Sequence, residues 1–342
     1  MKFRSIRIKV TFLAICLASS LCSYADQTIL LLQSEKQTDL LLVQSKKLIP
    51  LLKSTNYLQA SETGRIIYRV SENSPWQCAE LSWSTDKFVL VPLETPRGLI
   101  NQDVFPTFSP DGAKLFWIRY GDGKCVLHIW NFATKSYLPS KEIAGYAYLP
   151  AWSPDGSKLA FYLKEKSPDF LIDDYGFAVF DIMKNEIRKL PVSQRTRLSP
   201  QRDRRPSWSN NSQYVFYEGK YEFSKGHFQV LLNTATGKLH PCDIGIWIND
   251  SDLIYAPPEN EFMSLYFNRL NNVLNGEINL DKSMGKVNTP YFSAYTLERQ
   301  TNTLYFQSDN HTVFAYHLNG NKEVSLGKVD FNIQTIVILV NK

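Results

Sequence analysis

The sequence has little net charge once its first residues are set apart. Its 342 residues include 38 Lys+Arg and 33 Asp+Glu, which gives a formal charge of +5. Residues 1–25 contain four basic residues and no acidic one, so residues 26–342 carry a charge of only +1. Nucleic-acid-binding proteins normally present a strong basic surface. The near-neutral body therefore argues against nucleic acid as a partner.

Cysteine and histidine are also scarce. Three of the five cysteines, Cys78, Cys125 and Cys242, follow residue 25, and an odd number leaves at least one free thiol in an exported protein. We expect these thiols to be buried, because their spacings match no zinc site. The five histidines do not recur at one position of the repeated unit. They are His128, His227, His240, His311 and His317. The sequence therefore predicts neither a metal nor a cofactor.

Long apolar runs are missing after the N-terminus. Residues 10–22 form an apolar run that follows four basic residues and precedes Ser23-Tyr24-Ala25, a pattern typical of a secretory signal cleaved before Asp26. We therefore expect residues 1–25 to be removed and the protein to be periplasmic or secreted. An uncleaved anchor is the alternative, but the run is short of the roughly 20 residues of a spanning helix. No transmembrane segment is expected in residues 26–342.

Aromatic residues are abundant and a short pattern repeats. The chain contains 18 Tyr, 20 Phe and 7 Trp, a composition that favours strands. Three similar segments begin at Phe105, Leu149 and Arg205, and each combines a proline, an aromatic residue, a Ser-led turn and an apolar strand. Their prolines are 44 and 56 residues apart, at positions 106, 150 and 206. Spacings of this size indicate a repeat architecture.

Each repeat contains the elements of a four-stranded antiparallel sheet. Ser-Pro-Asp-Gly, or Ser-Asn-Asn-Ser in the third copy, forms the turn after the first strand, so Asp111, Asp155 and Asn211 are predicted to shape turns rather than to act as acids. The predicted third strands are Val126–Asn131, Phe177–Asp181 and Phe228–Asn233, and Ile187–Leu190 is a fourth strand. Four strands in about 45 residues are typical of a propeller blade.

The chain ends predict how the ring closes. Residues 28–33 and 39–44 form strands with no preceding turn motif, and residues 331–340 resemble the inner strand of an unfinished blade. Joining these segments would protect both sheet edges. The prediction is an all-β fold: a single β-propeller over residues 26–342, with seven four-stranded blades, or six as the alternative. Residues 40–53 can also be interpreted as an amphipathic helix.

The Trp-Ser-Pro-Asp-Gly-x-Lys-Leu-Ala-Phe pattern, read at Trp152–Phe161, resembles the repeats of TolB-type β-propellers. Similar repeats occur in tricorn-like and prolyl-oligopeptidase-like propellers. The motif therefore indicates the fold and gives almost no information about function. TolB carries an α/β domain before its propeller, whereas blade-like strands here begin directly after Asp26. Prolyl-oligopeptidase relatives carry a hydrolase domain, yet this sequence has no Gly-x-Ser-x-Gly elbow.

Irregular loops on one face of the predicted propeller are the candidate binding surface. Turns after the first and third strands lie on one face, and the remaining loops lie on the other. Two insertions fall on this second face, and long loops on a regular scaffold often carry binding. The candidate partner-binding residues are Asp169, Asp173 and Asp174 in one insertion, and Arg195, Arg197, Arg202, Arg204 and Arg205 in the other.

These features favour a protein that binds rather than catalyses. We expect an exported, monomeric adaptor of the periplasm or cell envelope with no catalytic residues. Its arginine loop, the insertion that contains Arg195 to Arg205, is predicted to bind an acidic protein partner or an anionic ligand. The alternative without a binding role is a solvated loop in which the arginines pair with the neighbouring aspartates. The enzymatic alternative is a carbohydrate-active lyase or hydrolase with its site at the channel mouth, which would require clustered histidines or acids there.

Overall fold

The computed structural model describes residues 28–339, with gaps at 35–36, 54–56, 85–86, 165–175, 191–195, 198–204, 222–226, 243, 248–250, 257–263, 270–282, 287–294, 299–300, 302, 308–310, 318–321 and 331–334. The regular elements in this part of the chain are all β-strands. No helix in the described ranges has the length and apolar character needed to cross a membrane. The predicted leader, residues 1–25, lies outside them.

The strands form seven antiparallel sheets, which are the blades of a propeller and are numbered here in chain order. Blade 1 contains β1 (Ile29–Gln33), β2 (Gln37–Leu42), β3 (Lys47–Lys53) and β30 (Thr335–Leu339). Blade 2 contains β4 (Tyr57–Ala60), β5 (Arg65–Arg69), β6 (Gln77–Ser84) and β7 (Lys87–Leu93). Blade 3 contains β8 (Val104–Phe108), β9 (Lys114–Gly121), β10 (Lys124–Asn131), β11 (Ser136–Tyr137) and β12 (Lys141–Ala144).

In blades 4 to 7 the strands follow one another in chain order from the inside of the ring to the outside. Blade 4 contains β13 (Tyr146–Trp152), β14 (Lys158–Lys164), β15 (Gly176–Asp181) and β16 (Glu186–Leu190). Blade 5 contains β17 (Thr196–Arg197), β18 (Ser207–Trp208), β19 (Tyr214–Tyr221), β20 (His227–Asn233) and β21 (Leu239–Cys242). Blade 6 contains β22 (Ile244–Trp247), β23 (Asp252–Ala256), β24 (Ser264–Arg269) and β25 (Ser283–Lys286). Blade 7 contains β26 (Tyr295–Glu298), β27 (Thr303–Gln307), β28 (Thr312–His317) and β29 (Lys322–Lys328).

The two ends of the described chain close the ring, as predicted. β30 pairs along its whole length with β1 and is the innermost strand of blade 1. Thr28 Oγ1 also donates a hydrogen bond to Glu298 Oε1 in blade 7, at 3.0 Å. The helical interpretation of residues 40–53 is wrong, because β2 and β3 pair there as a hairpin in which the apolar residues of β2 are buried.

Side-chain hydrogen bonds explain why the Ser-Pro-Asp-Gly segments form turns. Ser153 Oγ accepts a hydrogen bond from Lys158 N at 2.9 Å, and Asp155 Oδ1 accepts one from Ser157 N at 3.1 Å. The same contacts recur around Asp111 and around Asn211. Gly156 has a φ of 66°, in the left-handed region that glycine adopts without steric cost. The prediction that these acidic and amide residues shape turns is confirmed.

Neighbouring blades are joined by a repeated tryptophan contact. The indole N–H groups of Trp152, Trp208 and Trp247 each donate to a backbone carbonyl on the inner strand of the preceding blade, at 3.1, 3.0 and 3.2 Å. Blade 3 has Phe108 at this position, which lacks such a donor. There, Gln59 Oε1 of blade 2 instead accepts from Phe108 N at 3.1 Å. The aromatic residue of the repeat thus connects each of these blades to the one before it.

Apolar side chains fill the spaces between blades. One core cluster joins blades 4 and 5 and includes the stacked rings of Phe177 and Tyr217, with centroids 4.6 Å apart. Cys78 and Cys125 are buried free thiols, as expected from the odd cysteine count. Burial raises the pKa of Cys78 to about 12 and that of Cys125 to about 11, so both remain protonated and unreactive at neutral pH.

Replacing Asp155 tests the turn. Asp155→Ala should lower the free energy of unfolding by about 1 kcal/mol, because three turn hydrogen bonds are lost at a solvent-exposed site. Asp155→Asn should cost less than about 0.5 kcal/mol, because Asn211 makes equivalent contacts in blade 5. Urea unfolding at neutral pH measures both, and equal losses in the two variants would contradict the assigned role.

The same turn makes a defined contribution to acid stability. Burial opposes ionisation of Asp155, but hydrogen bonds from Ser153 and Ser157 outweigh it and lower its pKa below the ordinary value of 3.8. A lowered folded-state pKa gives stability that is complete above the unfolded pKa and is lost as the pH falls through the folded one. Asp155→Asn should therefore lose less stability than the wild type between neutral pH and about pH 3.

Candidate functional site at the channel mouth

The innermost strands place four residues at equivalent positions around one mouth of the central channel. Alignment on the turn motif matches Tyr57, Phe105, Leu149 and Arg205 in blades 2 to 5. Tyr57 begins β4, Phe105 and Leu149 lie at irregularities within β8 and β13, and Arg205 precedes β18. All four therefore lie on the face opposite the Ser-Pro-Asp-Gly turns. We call the face with these turns the turn face and the opposite one the loop face.

Bulges before proline shape this mouth. Phe105 and Leu149 have φ angles of 52° and 48°, and strand pairing shifts at both residues. Positive φ is uncommon for residues other than glycine, and a bulge bends its strand. The carbonyl groups of the following prolines, Pro106 and Pro150, accept hydrogen bonds from side chains of other blades.

A polar network connects blades 2 to 5 across the mouth. Tyr57 Oη donates to Pro106 O at 3.0 Å. The guanidinium of Arg205 donates from Nη1 to Pro150 O at 3.3 Å and from Nη2 to Tyr57 Oη at 2.5 Å. Arg205 is half-buried, and no carboxylate in the described part of the chain forms an ion pair with it. Blades 3 and 4 separate Arg205 from Tyr57 along the ring, so a direct contact between the two residues places the cation in the interior of the ring.

The network continues outward from Tyr57. The ring of Tyr57 meets Trp76 edge-on with centroids 5.2 Å apart, and Arg69 lies over Trp76 with its Cζ 4.5 Å from the ring centroid. Arg69 Nη1 also donates to Glu72 O at 3.3 Å. The loop face of blade 2 thus presents a second cation close to the mouth.

A separate polar cluster fixes the connection between blades 2 and 3. Arg119 and Asp103 form a bidentate ion pair with two distances of 2.7 Å, and the Asp103 side chain is 0% exposed. Asp103 also accepts a hydrogen bond from Ile100 N at 2.8 Å. The hydrogen bond to Asp103 raises the pKa of Arg119, which stabilises the charged guanidinium.

The predicted site residues are described only in part. Arg205 lies at the mouth, as given above. Arg197 belongs to β17, which pairs with β19 beside β18, so the inner strand of blade 5 is divided rather than preceded by a simple loop. The other predicted residues lie outside the described residues: Arg195, Arg202, Arg204, Asp169, Asp173 and Asp174.

Sequence reasoning missed the residues that bind Arg205. Tyr57 belongs to a weak copy of the repeat, and only its register with Phe105, Leu149 and Arg205 could have indicated a shared position at the mouth. The histidines are dispersed: His128 contacts Ser140, and His317 contacts Thr303. Within the described ranges, no group of three or more histidine, cysteine or acidic side chains is suited to a metal ion.

Fold and mouth together define a single β-propeller with a polar loop face. No family model matches the sequence. A TolB protein of the Tol-Pal system from Alcanivorax borkumensis is 39% identical over 59 residues, which are 17% of this chain and 14% of that protein. The resemblance to TolB-type propellers drawn from the repeats is thus confirmed by a match that spans a small part of the relative.

Solved structures agree on the fold. A Bacteroides uniformis protein, named only provisionally as a 6-phosphogluconolactonase, is similar with a TM-score of 0.55 and 12% identity, over 92% of this chain and 100% of that one. TolB from Acinetobacter baumannii gives a TM-score of 0.48 and 11% identity, over 91% of this chain and 66% of that one. At such low identities, the similarity concerns the propeller alone.

Proposed function

We propose that this chain is an exported, non-catalytic β-propeller that binds a protein partner in the periplasm or cell envelope. The predicted leader supports export, and the sequence match to TolB supports an adaptor role in the envelope. A rigid ring offers a broad face on which loops supply specificity without chemistry. Monomeric behaviour is part of the proposal.

The observation that carries the proposal is the hydrogen bonding of the Arg205 guanidinium at the mouth. A guanidinium has five N–H donors, and hydrogen bonds to Tyr57 and Pro150 use two of them. The other three donors have no hydrogen-bond partner among the described residues, and two protein contacts hold the planar group in place. Arginine in a fixed position suits bidentate binding of a carboxylate. The partner we propose therefore presents an acidic side chain to the loop face.

The arginine loop would extend this surface. Arg195, Arg197, Arg202 and Arg204 precede Arg205 in sequence, and Asp169, Asp173 and Asp174 belong to the sequence insertion between β14 and β15. We propose that the arginines attract the acidic partner and that the aspartates limit which partners fit. Complementary charge mainly raises the association rate and excludes unsuitable partners.

A crosslinked pull-down from the native envelope tests the proposal. The mature wild type should capture a partner, and reversal of Arg202, Arg204 and Arg205 to Glu should reduce capture at least about tenfold. The matched control reverses three exposed lysines on the turn face, Lys184 and Lys238 between strands and Lys322 at the start of β29, and should leave capture unchanged. Unchanged capture by the arginine variant, or equal loss in both variants, would refute the arginine surface.

The enzymatic alternative makes a different prediction for the same face. A lyase or hydrolase at the channel mouth needs clustered histidines or acidic residues near the axis. The described mouth residues supply one guanidinium and one phenol, from Arg205 and Tyr57. This composition favours binding, and the pull-down distinguishes the two functions because an enzyme has no need of a stable protein partner.

A further inference from the structure

The loop between blades 2 and 3, residues 94–103, is attached to blade 3 by Arg119 and Tyr137, and by an exposed ion pair between Lys135 and Glu94 at 3.7 Å. Arg119 Nη2 donates to Gly98 O at 2.6 Å and forms the ion pair with Asp103. Tyr137 Oη accepts a hydrogen bond from Gly98 N at 2.9 Å. We call residues 94–103 the latch loop. Arg119 and Tyr137 thus hold Gly98 by both its carbonyl and its amide group.

Gly98 fits this attachment closely. A Cβ atom at position 98 would lie 2.2 Å from Tyr137 Oη and 3.1 Å from Tyr137 Cζ. Real Cβ atoms do not approach oxygen so closely, so a side chain at this position would displace either the loop or the tyrosine. The attached state therefore depends on a close approach between the loop backbone and blade 3.

His128 lies beside both attaching residues. Its ring stacks on Trp117 with centroids 5.4 Å apart and meets Tyr137 edge-on at 6.4 Å. Its Nδ1 lies 3.2 Å from Ser140 Oγ, in the break between β11 and β12. Its Nε2 is buried and has no hydrogen-bond partner among the described residues. The site thus suits a neutral imidazole and offers no acceptor to an added proton.

Burial and the nearby charges together lower the pKa of His128. Burial lowers the pKa of His128, and the Arg119 cation of β9 lowers it further, whereas Asp103 of the latch loop raises it. Tyr137 of β11 also faces the imidazole. A proton on Nε2 would therefore be buried without an acceptor and would repel Arg119, which holds the loop.

We propose that His128 makes the latch loop acid-sensitive: protonation of its imidazole weakens the Arg119 and Tyr137 contacts with Gly98 and releases the loop from blade 3. Release would reduce the repulsion between the charged ring and the Arg119 guanidinium. The pKa is lower in the attached state than in the solvated one. Attachment is therefore strongest above the ordinary histidine pKa of about 6.5 and weakens as the pH falls below it. This device does not depend on the proposed partner.

Hydrogen exchange of the full chain, read by mass spectrometry on peptides that cover the latch loop, measures the attachment. After correction for intrinsic exchange, protection of the Gly98 and Ile100 amides should fall about threefold or more between about pH 7.5 and about pH 5. In His128→Phe, which retains a ring against Trp117 but cannot be protonated, protection should be independent of pH. His128→Gln serves as a second non-ionising variant if the first does not fold.

Two further variants serve as a specificity control and as a reference for the released loop. His240 also has a pKa lowered by burial, but it lies in blade 5, so His240→Phe should retain the full pH dependence of the latch loop. Gly98→Ala should release the loop at every pH and thus sets the unprotected limit. The proposal is overturned if wild-type protection does not change with pH, or if both His128 variants retain the wild-type change.

Discussion

Asp103→Ala is expected to lower the free energy of unfolding by about 3 kcal/mol. The Asp103 carboxylate is fully buried, accepts two hydrogen bonds from Arg119 and also binds the amide of Ile100. Removing it leaves a partly buried guanidinium without its counter-charge, and Arg119 has no second carboxylate among its described contacts. Chemical denaturation at neutral pH measures the loss.

The exposed pair between Lys124 and Glu142 provides a matched control. Its side chains are 50% and 58% exposed although the ionic distance is a short 2.8 Å. Glu142→Ala should cost less than about 1 kcal/mol, because solvent screens exposed pairs. Equal losses at Asp103 and Glu142 would show that burial of the carboxylate does not determine the effect. Asp103→Asn should fall between the two, since it retains an acceptor but not the charge.

The blade architecture could be predicted from the sequence because the turn chemistry is local. Ser-Pro-Asp-Gly determines the hydrogen bonds of its own hairpin, and the order of strands then follows from alternation and short connections. The closing blade was predictable for a related reason, because unfinished strands at both ends leave edges that only each other can cover. The predicted third strands of blades 3, 4 and 5 all agree with β10, β15 and β20.

The polar contacts at the mouth and at the latch loop could not be predicted in the same way. Arg205 and Tyr57 are 148 residues apart and meet only because the closed ring brings the start of β4 and the segment before β18 together. The pairing of Asp103 with Arg119 depends on how a ten-residue connection folds back over blade 3. Such contacts depend on the closed ring, and no local pattern records them. The arginine loop was recognisable from its composition, whereas the division of the inner strand into β17 and β18 was not.

Trp208→Ala is expected to lower the free energy of unfolding by about 4 kcal/mol. The side chain is 4% exposed and belongs to the core cluster that joins blades 4 and 5. Its removal creates a large cavity in the interface between these blades, and it leaves the carbonyl of Ala151 without the indole donor. Both effects fall on the same interface, so the two blades should also become easier to separate in hydrogen exchange.

Trp208→Phe separates packing from hydrogen bonding. It retains most of the ring and removes the N–H donor, so its cost should be about 1–2 kcal/mol. The natural comparison is Phe108 in blade 3, where Gln59 supplies the bond between blades that the ring cannot make. Because no described residue offers such a substitute donor to Ala151 O, the phenylalanine variant should expose the amides of β18 and β13 to exchange more than those of β4 and β8. A loss below about 1 kcal/mol in the alanine variant would mean that tryptophan is not what joins these blades.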